Sequence, residues 1–155
     1  MLKFKKLHPK AHISSPARPG DAGYDLHSLV DFTLLKAHKA IISTGIAVEI
    51  PSGFVGLVCP RSGLAARYGI TIVNAPGIID AGYRGELKVI LANLGAEPFV
   101  ITRGDRIAQL VITQCFTPTL EEVEELSDTV RGLDGFGSTG IKVKTDKAYT
   151  VLGDK

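Results

Sequence analysis

Tryptophan is absent from this sequence, and cysteine and aromatic residues are scarce: two cysteines and 6% aromatics in 155 residues. Two cysteines exclude the disulfide framework of a small secreted domain, and a structural zinc site needs about four ligands at close spacing. Cys59 and Cys115 each lie in an apolar, strand-like segment, which predicts two buried free thiols. The histidines show no metal-binding spacing, and we expect all of them at the solvated surface: His8, His12, His27 and His38.

Charge of one sign is also scarce, because 18 lysines and arginines face 16 acidic residues and leave a net charge of +2. Such a chain has no strong field to attract duplex DNA or an anionic membrane, so we expect neither partner. No stretch approaches the roughly 18 apolar residues of a membrane-spanning helix. The basic start "MLKFKKLHPK" lacks the apolar run of a signal peptide. We therefore expect a cytoplasmic protein.

Short strand-like segments dominate residues 40–116. Runs rich in β-branched residues, such as "FVGLVCP", "ELKVILANL" and "RIAQLVITQCF", are bounded by Gly, Pro or Asn. The tripeptide "PSG" between "AIISTGIAVEI" and "FVGLVCP" predicts a hairpin turn. The length fits about one domain, and the short, regular spacing predicts an all-β sandwich, barrel or jelly roll.

Two segments favour short helices. "SGLAARYG" has Ser62 as a candidate N-cap and Gly69 as a stop, and "TLEEVEEL" begins at the candidate cap Thr119 with its acidic run facing solvent. Beyond residue 127 the chain carries four glycines between Gly132 and Gly140 and little to bury. We predict a domain at 1–127, a mobile arm at 128–140 that orders on a ligand, and an extension of unknown role at 141–155.

Five clusters place glycine beside arginine, aspartate or serine: "AGYDL" (22–26), "PRSGLA" (60–65), "NAPGIIDAGYRG" (74–85), "RGDRIAQL" (103–110) and "RGLDGFGSTG" (131–140). Arg61 and Arg131 next to bare backbone N–H groups suit phosphate oxygens, although arginine beside glycine also occurs in ordinary turns. Ser62, Ser138 and Thr139 would add donors, so together they predict a polyphosphate ligand. No "GK[ST]" follows, which excludes a Walker A loop.

Phe136 stands between two glycines of the last cluster, where an aromatic ring has no obvious core to fill. Two roles are open for it. The ring would either stack on the base of a ligand or anchor the arm to the domain.

In this order and with these gaps, the five clusters resemble the motifs of the trimeric deoxyuridine triphosphate nucleotidohydrolases, the dUTPases, from about residue 16 to residue 140. The resemblance implies a distorted jelly-roll β-sandwich with one or two short helices and a flexible Gly-rich C-terminal arm. It implies hydrolysis of dUTP to dUMP and pyrophosphate by water attack at the α-phosphorus, with Mg²⁺ as cofactor. Such an enzyme keeps uracil out of DNA and supplies dUMP for thymidylate synthesis. It also implies a homotrimer whose three sites lie between subunits.

The third motif of that family is a β-hairpin that reads the nucleoside. By the resemblance, Asn74 hydrogen-bonds the uracil edge, and Tyr83 packs beneath the deoxyribose and excludes a 2′-hydroxyl. Main-chain groups complete the recognition of the base at Gly77, Ile78, Ile79 and Lys88. Asp80 matches the general base that deprotonates the attacking water. Without the resemblance, Asp80 would be a turn-capping residue and Tyr83 an ordinary strand residue.

The remaining motifs would hold the phosphates. Arg61 and Gly63 match phosphate-binding positions, while Ser62 and Gln109, which we assign to catalysis with Asp80, match contacts near the bridging oxygen and the phosphates. Asp25 matches an acid that supports Mg²⁺ through its water ligands. The arm residues that would close over bound nucleotide are Arg131, Phe136, Gly137, Ser138 and Thr139.

Two rival functions are open. A dCTP deaminase shares the fold and part of the third motif, but carries a catalytic glutamate within the following strand, where this chain has Ile90. A binding module is suggested by the "RGD" at residues 103–105, a tripeptide read by adhesion receptors. Three-residue matches arise often by chance, and we expect this one to be a turn of the fourth motif.

Overall fold

The computed structural model describes residues 1–12, 18–135 and 138. It divides into a unit Met1–Pro118 and a second unit that begins at Thr119. The helix and strands of the described residues all lie in the first unit: β1 Lys3–Lys6, β2 Gly23–His27, β3 Phe32–Leu34, β4 Lys39–Ser43, β5 Ile46–Glu49, β6 Phe54–Cys59, α1 Ser62–Tyr68, β7 Ile70–Ile72, β8 Gly77–Ile79, β9 Lys88–Asn93, β10 Phe99–Ile101 and β11 Arg106–Gln114.

The strands form antiparallel ladders, and neighbours in a sheet are mostly distant in sequence. The larger sheets have the orders β2-β11-β6-β8 and β4-β9-β7, and two further pairs join β1 to β5 and β10 to β3. Long-range pairing of short antiparallel strands is the pattern of a jelly-roll sandwich. The predicted all-β jelly roll with a short helix is confirmed.

The core follows from alternation along the strands. In β9, Val89 and Leu91 are each 1% exposed and alternate with partly exposed neighbours, as expected for a strand with one face against the core. Asn93 ends the strand fully buried. Its Nδ2 donates to the carbonyl oxygens of Leu34 at 2.9 Å and Glu97 at 2.8 Å, so its burial is offset by hydrogen bonds.

The predicted hairpin at "PSG" is wrong. β5 pairs with β1, whereas β6 pairs with β11 and β8, so residues 51–53 join two different sheets. The run "AIISTGIAVEI" is likewise two strands, interrupted at Thr44 and Gly45. Thr44 is fully buried and its hydroxyl donates to the carbonyl of Leu87 at 2.6 Å, while Gly45 has a positive φ of 69° that most residues avoid.

The helix α1 ends at Gly69 as predicted, because Gly69 adopts the left-handed conformation with φ 67°. Ser62 is not its N-cap: Arg61 occupies that position, without a side-chain cap hydrogen bond, and Ser62 is the first helical residue. The second predicted helix is wrong, since residues 119–126 contain no helix. Leu120 and Leu126 are 93% and 88% exposed, and an isolated helix this short needs packing to be stable.

Two expectations about single side chains also need correction. Cys59 and Cys115 are free as predicted, but Cys59 is only half-buried and Cys115, just past the end of β11, is exposed. His27, the last residue of β2, is buried at 7% exposure rather than solvated. Its Nδ1 is 2.7 Å from the carbonyl oxygen of Gly104, and the centroids of the His27 and His12 rings are 4.4 Å apart at an interplanar angle of 64°.

Burial lowers the pKa of His27 below its ordinary value of 6.5, against a smaller opposing effect of the Gly104 carbonyl. The folded chain therefore disfavours the protonated imidazole. In the part of the chain that the structure describes, no helix is long and apolar enough to cross a membrane.

Candidate functional site

Three of the five sequence clusters converge on one end of the larger sheet. Gln109 on β11 stands opposite Asp25 on β2 and opposite Cys59 on β6. Arg61 follows β6 after a single proline and opens α1. The sheet register therefore brings Asp25, Gln109 and Arg61 together, as the prediction of a shared phosphate site requires.

The carboxylate of Asp25 is held between two arginines. Arg61 Nε lies 3.1 Å from Oδ1, and Arg106 Nη1 lies 3.4 Å from Oδ2. Arg61 also donates from Nη1 to the carbonyl oxygen of Arg106 at 3.3 Å. The Asp25 side chain is 19% exposed and that of Arg61 28%, so the two guanidinium groups are oriented before any ligand arrives, with part of their surface still open to solvent.

Gln109 is positioned from two sides. Its Nε2 donates to the carbonyl oxygen of Pro60 at 3.0 Å, which ties β11 to the segment that carries Arg61. On the other side, a Cβ atom at Gly23 would lie 2.8 Å from Gln109 Oε1. Glycine at position 23 therefore leaves the space that the Gln109 amide occupies.

These side chains surround an open pocket of about 420 Å³, which we call the arginine pocket. Its lining contains three arginines and two aspartates, and the exposed start of α1: Arg18, Asp21, Ala22, Gly23, Asp25, Arg61, Ser62, Gly63, Arg106 and Gln109. An excess of guanidinium groups in a polar, water-accessible pocket favours a multiply charged anion. The described geometry supports the predicted polyphosphate ligand.

Three charged residues of the pocket were missed from the sequence: Arg18, Asp21 and Arg106. The register of β11 against β2 shifts between Arg106 and Ala108, and such irregularities re-aim a side chain without a sequence signal. The Asp21 carboxylate accepts a hydrogen bond from the backbone N–H of Arg18 at 2.9 Å. The sequence "ARPGD" is compatible with this local turn but does not predict it. The nearness of "RGDR" to Gln109 was the one available clue to Arg106.

The third cluster has a different geometry from the hairpin that we expected. Gly77 and Ile78 on β8 pair with Val58 and Leu57 on β6, whereas Lys88 opens β9 in the other sheet. β8 and β9 are therefore not partners, and residues 80–87 form a loop that crosses between sheets. Leu87, at 1% exposure, fixes the end of that loop in the core.

The side chains of the third cluster are accessible. Asn74 and Asp80 are exposed, Ile78 is 58% exposed and Tyr83 is 44% exposed. Tyr83 is held at both ends, since its hydroxyl donates to the carbonyl of Glu86 at 3.0 Å and its N–H to the carbonyl of Asp80 at 3.0 Å. Among the described residues that line the arginine pocket, none belongs to 74–88.

The fifth cluster belongs to the second unit. Arg131 is exposed and its Nε donates to the carbonyl of Asp134 at 2.9 Å. The N–H of Ser138 donates to the carbonyl of Gly135 at 3.0 Å. Phe136, Gly137 and Thr139 lie outside the described residues.

Within residues 1–12, 18–135 and 138, no group of three or more His, Cys, Asp or Glu side chains is placed to hold a metal ion. Of the predicted magnesium site, the described part of the chain supplies the Asp25 carboxylate. Any ion there would need most of its ligands from water or from a bound phosphate.

Comparison with known proteins gives a consistent family. The family model described as dUTPase matches residues 9–140. The chain is 57% identical over 140 residues to a deoxyuridine 5′-triphosphate nucleotidohydrolase of Corynebacterium glutamicum, covering 90% of this chain and 94% of the relative. It is 51% identical over 156 residues to the enzyme of the same description from Rhodococcus erythropolis, covering 99% and 95%.

Solved structures agree with the sequence comparison. A mutant dUTPase of Staphylococcus bacteriophage 80alpha, with dUpNHpp, has a TM-score of 0.85 and 34% identity, and the match covers 91% of this chain and 99% of that one. A mutant dUTPase from phage phi11 of S. aureus has a TM-score of 0.75 and 33% identity, over 81% and 97% of the two chains. That structure is described as revealing the coordination of a structural Mg(II) ion.

Proposed function

The chain belongs to the dUTPase family, and we propose that its arginine pocket binds the triphosphate of dUTP for hydrolysis to dUMP and pyrophosphate. The enzyme class is dUTP diphosphatase, a hydrolase of nucleotide metabolism. The observation that carries the proposal for this site is the carboxylate of Asp25 held between Arg61 and Arg106 beside Gln109. Family membership supplies the substrate, and the pocket supplies the place for its phosphates.

Arg61 and Arg106 would exchange part of their contact with Asp25 for phosphate oxygens. The guanidinium plane matches the spacing of two phosphate oxygens, and charge-assisted bonds of this kind are among the strongest in proteins. Ser62 and Gly63, exposed at the start of α1, would donate near the bridging oxygen on which charge develops as the bond breaks. Gln109 would contact the same phosphates from β11.

Asp80 would serve as the general base. Water would attack the α-phosphorus as its proton passes to the Asp80 carboxylate, and the bond to the β-phosphate oxygen would break to release pyrophosphate. The exposure of Asp80 supports this role, because the carboxylate is accessible to a water molecule. Removing Asp80's charge should therefore impair turnover more than the binding of substrate.

The loop of the third cluster would bind the nucleoside. Asn74 would hydrogen-bond the edge of uracil, and Tyr83 would lie beneath the deoxyribose where a 2′-hydroxyl would collide with its ring. Backbone groups would complete the contact with the base at Gly77, Ile78, Ile79 and Lys88. The exposed apolar surfaces of Ile78 and Tyr83 support such a platform for a flat ring and a sugar.

A homotrimer with shared sites would unite this loop with the arginine pocket. The pocket lining contains no described residue from 74–88, so the proposed site is completed by a loop from a neighbouring subunit. Co-expression of Arg61→Gln and Asp80→Asn chains tests this. Mixed trimers contain some sites with both native residues and should recover activity that neither variant has alone; no recovery in isolated mixed trimers contradicts shared sites.

Magnesium fits the pocket in an indirect role. Each Asp25 oxygen contacts one arginine, and a carboxylate has about four acceptor positions, so it can also accept a hydrogen bond from a metal-bound water. The direct ligands would be waters and phosphate oxygens, the usual environment of Mg²⁺. When bound, the ion would neutralise charge on the triphosphate.

The arm at 128–140 would close over the bound nucleotide, with Arg131 at the γ-phosphate and Phe136 over the uracil, assisted by Gly137, Ser138 and Thr139. Deletion from Val130 onward should leave the domain folded and assembled but remove most activity. Full turnover by the truncated enzyme would contradict this assignment.

The cytoplasmic location remains a prediction.

The direct test is pyrophosphate release from dUTP compared with dTTP, dCTP and UTP. We expect a strong preference for dUTP, and equal rates with all four nucleotides would contradict the nucleoside pocket.

Ammonia release from dCTP tests the deaminase alternative, which the half-buried Ile90 in β9 does not favour. The "RGD" forms a turn in which Asp105 Oδ2 accepts the N–H of Thr102 at 2.8 Å, which supports a structural role for that carboxylate.

A further inference from the structure

Tyr83 lies across the glycine two positions further along the loop. A Cβ atom at Gly85 would overlap the Tyr83 hydroxyl and lie 2.6 Å from Cζ and 3.0 Å from Cε2. Carbon atoms in van der Waals contact are separated by about 3.5–4.0 Å. The Tyr83 ring therefore occupies the space that any side chain at position 85 would need.

Backbone conformation does not explain this glycine. Gly85 is absent from the positive-φ glycines of the described chain, whereas Gly45 and Gly69, for example, adopt φ of 69° and 67°. An alanine at position 85 is thus permitted by its own backbone. The three nearest atoms to that Cβ outside its chain neighbours all belong to the Tyr83 side chain.

We propose that Gly85 is a specificity-determining position. Because it has no side chain, the Tyr83 ring can lie where it excludes a 2′-hydroxyl. The inference rests on the proposed function, in which Tyr83 supports the deoxyribose. It extends that function by naming the two residues that determine the position of the Tyr83 ring. These are Gly85, which leaves space for the ring, and Glu86, whose carbonyl accepts a hydrogen bond from the Tyr83 hydroxyl at 3.0 Å.

The cost of a side chain here falls on Tyr83 rather than on the fold. The overlapping atoms belong to the far end of an aromatic side chain that is 44% exposed and can move into solvent. Gly95 differs, since a Cβ there would collide with the backbone carbonyl oxygen of Tyr68. Gly85→Ala should therefore displace the ring, break its bond to Glu86 and leave the core intact.

Gly82 provides a matched control in the same loop. Apart from its two chain neighbours, a Cβ atom at Gly82 has nothing within 4 Å, and Gly82 also lacks a positive φ. Gly82→Ala makes the same chemical change three positions earlier, where the new Cβ meets no atom beyond the two adjacent residues. Any effect of reducing the conformational freedom of the loop backbone should be common to both variants.

The experiment measures kcat/KM for dUTP and for UTP in the wild type, Gly85→Ala, Gly82→Ala, Tyr83→Ala and the double variant Tyr83→Ala/Gly85→Ala. We expect the ratio of the two values to fall about tenfold or more in Gly85→Ala, as expected for loss of a steric contact in a binding pocket. Gly82→Ala should retain the wild-type ratio. In the Tyr83→Ala background, Gly85→Ala should add less than about a twofold change.

Several results would overturn the inference. An unchanged ratio in Gly85→Ala does so, as does an equal fall with and without Tyr83, because Gly85 would then act through something else. Unfolding of Gly85→Ala does so too, since the structure assigns the collision to a mobile ring. NMR signals of the Tyr83 ring, assigned by comparison with Tyr83→Ala, make the test independent of turnover. A wild type that is inactive on dUTP refutes the proposed function. Unshifted ring signals in Gly85→Ala refute the contact between Gly85 and Tyr83.

Discussion

Substitution of Arg61 by glutamine should separate phosphate binding from stability. The change removes the 3.1 Å contact with Asp25 and the 3.3 Å hydrogen bond to the carbonyl of Arg106. Asp25 keeps Arg106 as a partner, and Arg61 provides no side-chain cap to α1. Because the pair is partly exposed, its loss should cost about 1 kcal/mol or less and lower Tm by about 2–4 °C.

The effect on catalysis should be much larger. Two charge-assisted hydrogen bonds from one guanidinium group to phosphate are together worth about 3 kcal/mol. Their loss corresponds to roughly a 100-fold fall in kcat/KM for dUTP. Pyrophosphate release and thermal unfolding, measured on the same preparation, give both quantities.

Arg67→Gln is the matched control, because Arg67 is exposed in the last turn of the same helix and does not line the arginine pocket. It should keep kcat/KM within about twofold of the wild type, as is usual for surface changes. The reasoning is refuted if Arg61→Gln behaves like Arg67→Gln. It is also refuted if Arg61→Gln loses activity only because the protein unfolds.

Three further predictions concern Gly23 in the same pocket, the buried Asn93 and the buried His27. Gly23→Ala should push aside the Gln109 amide, whose Oε1 would lie 2.8 Å from the new Cβ, and lower kcat/KM about tenfold or more with little change in Tm; unchanged kinetics would contradict the contact. Asn93→Leu should cost about 3–5 kcal/mol in urea unfolding, since three hydrogen bonds lose their buried partner; a loss below about 1 kcal/mol would show that they contribute little. Because the pKa of His27 is lowered in the folded chain, the unfolded chain binds more protons below about pH 6.5, and the free energy of unfolding falls as the pH decreases through that range. His27→Gln should make the free energy of unfolding depend less on pH; an unchanged pH dependence would assign it to other groups.

Local patterns predicted the strands but not their partners. The alternation that buries Val89 and Leu91 is visible in "KVILAN", and Gly69 marks the end of α1 because a left-handed residue is needed there. The hairpin at "PSG" failed because pairing in this fold joins strands far apart in sequence. A turn-forming tripeptide says that the chain bends, but not which sheet the next strand enters.

The resemblance to the dUTPases predicted the site, and the structure added residues to it. Asp25, Arg61 and Gln109 were expected together, and the register of the larger sheet aligns them. Arg106 was missed because an irregularity in that register directs it to Asp25. The role of Gly85 could not be inferred from the sequence either, since it depends on where the Tyr83 ring lies.

A single-turnover reaction of dUTP in ¹⁸O-labelled water tests the central proposal most directly. Attack at the α-phosphorus forms the new bond to the nucleotide, so the label should appear in dUMP while pyrophosphate stays unlabelled. Asp80→Asn should slow the appearance of labelled dUMP by about 100-fold or more if Asp80 is the general base. Label in pyrophosphate or inorganic phosphate, or an undiminished rate without the Asp80 carboxylate, would contradict the account.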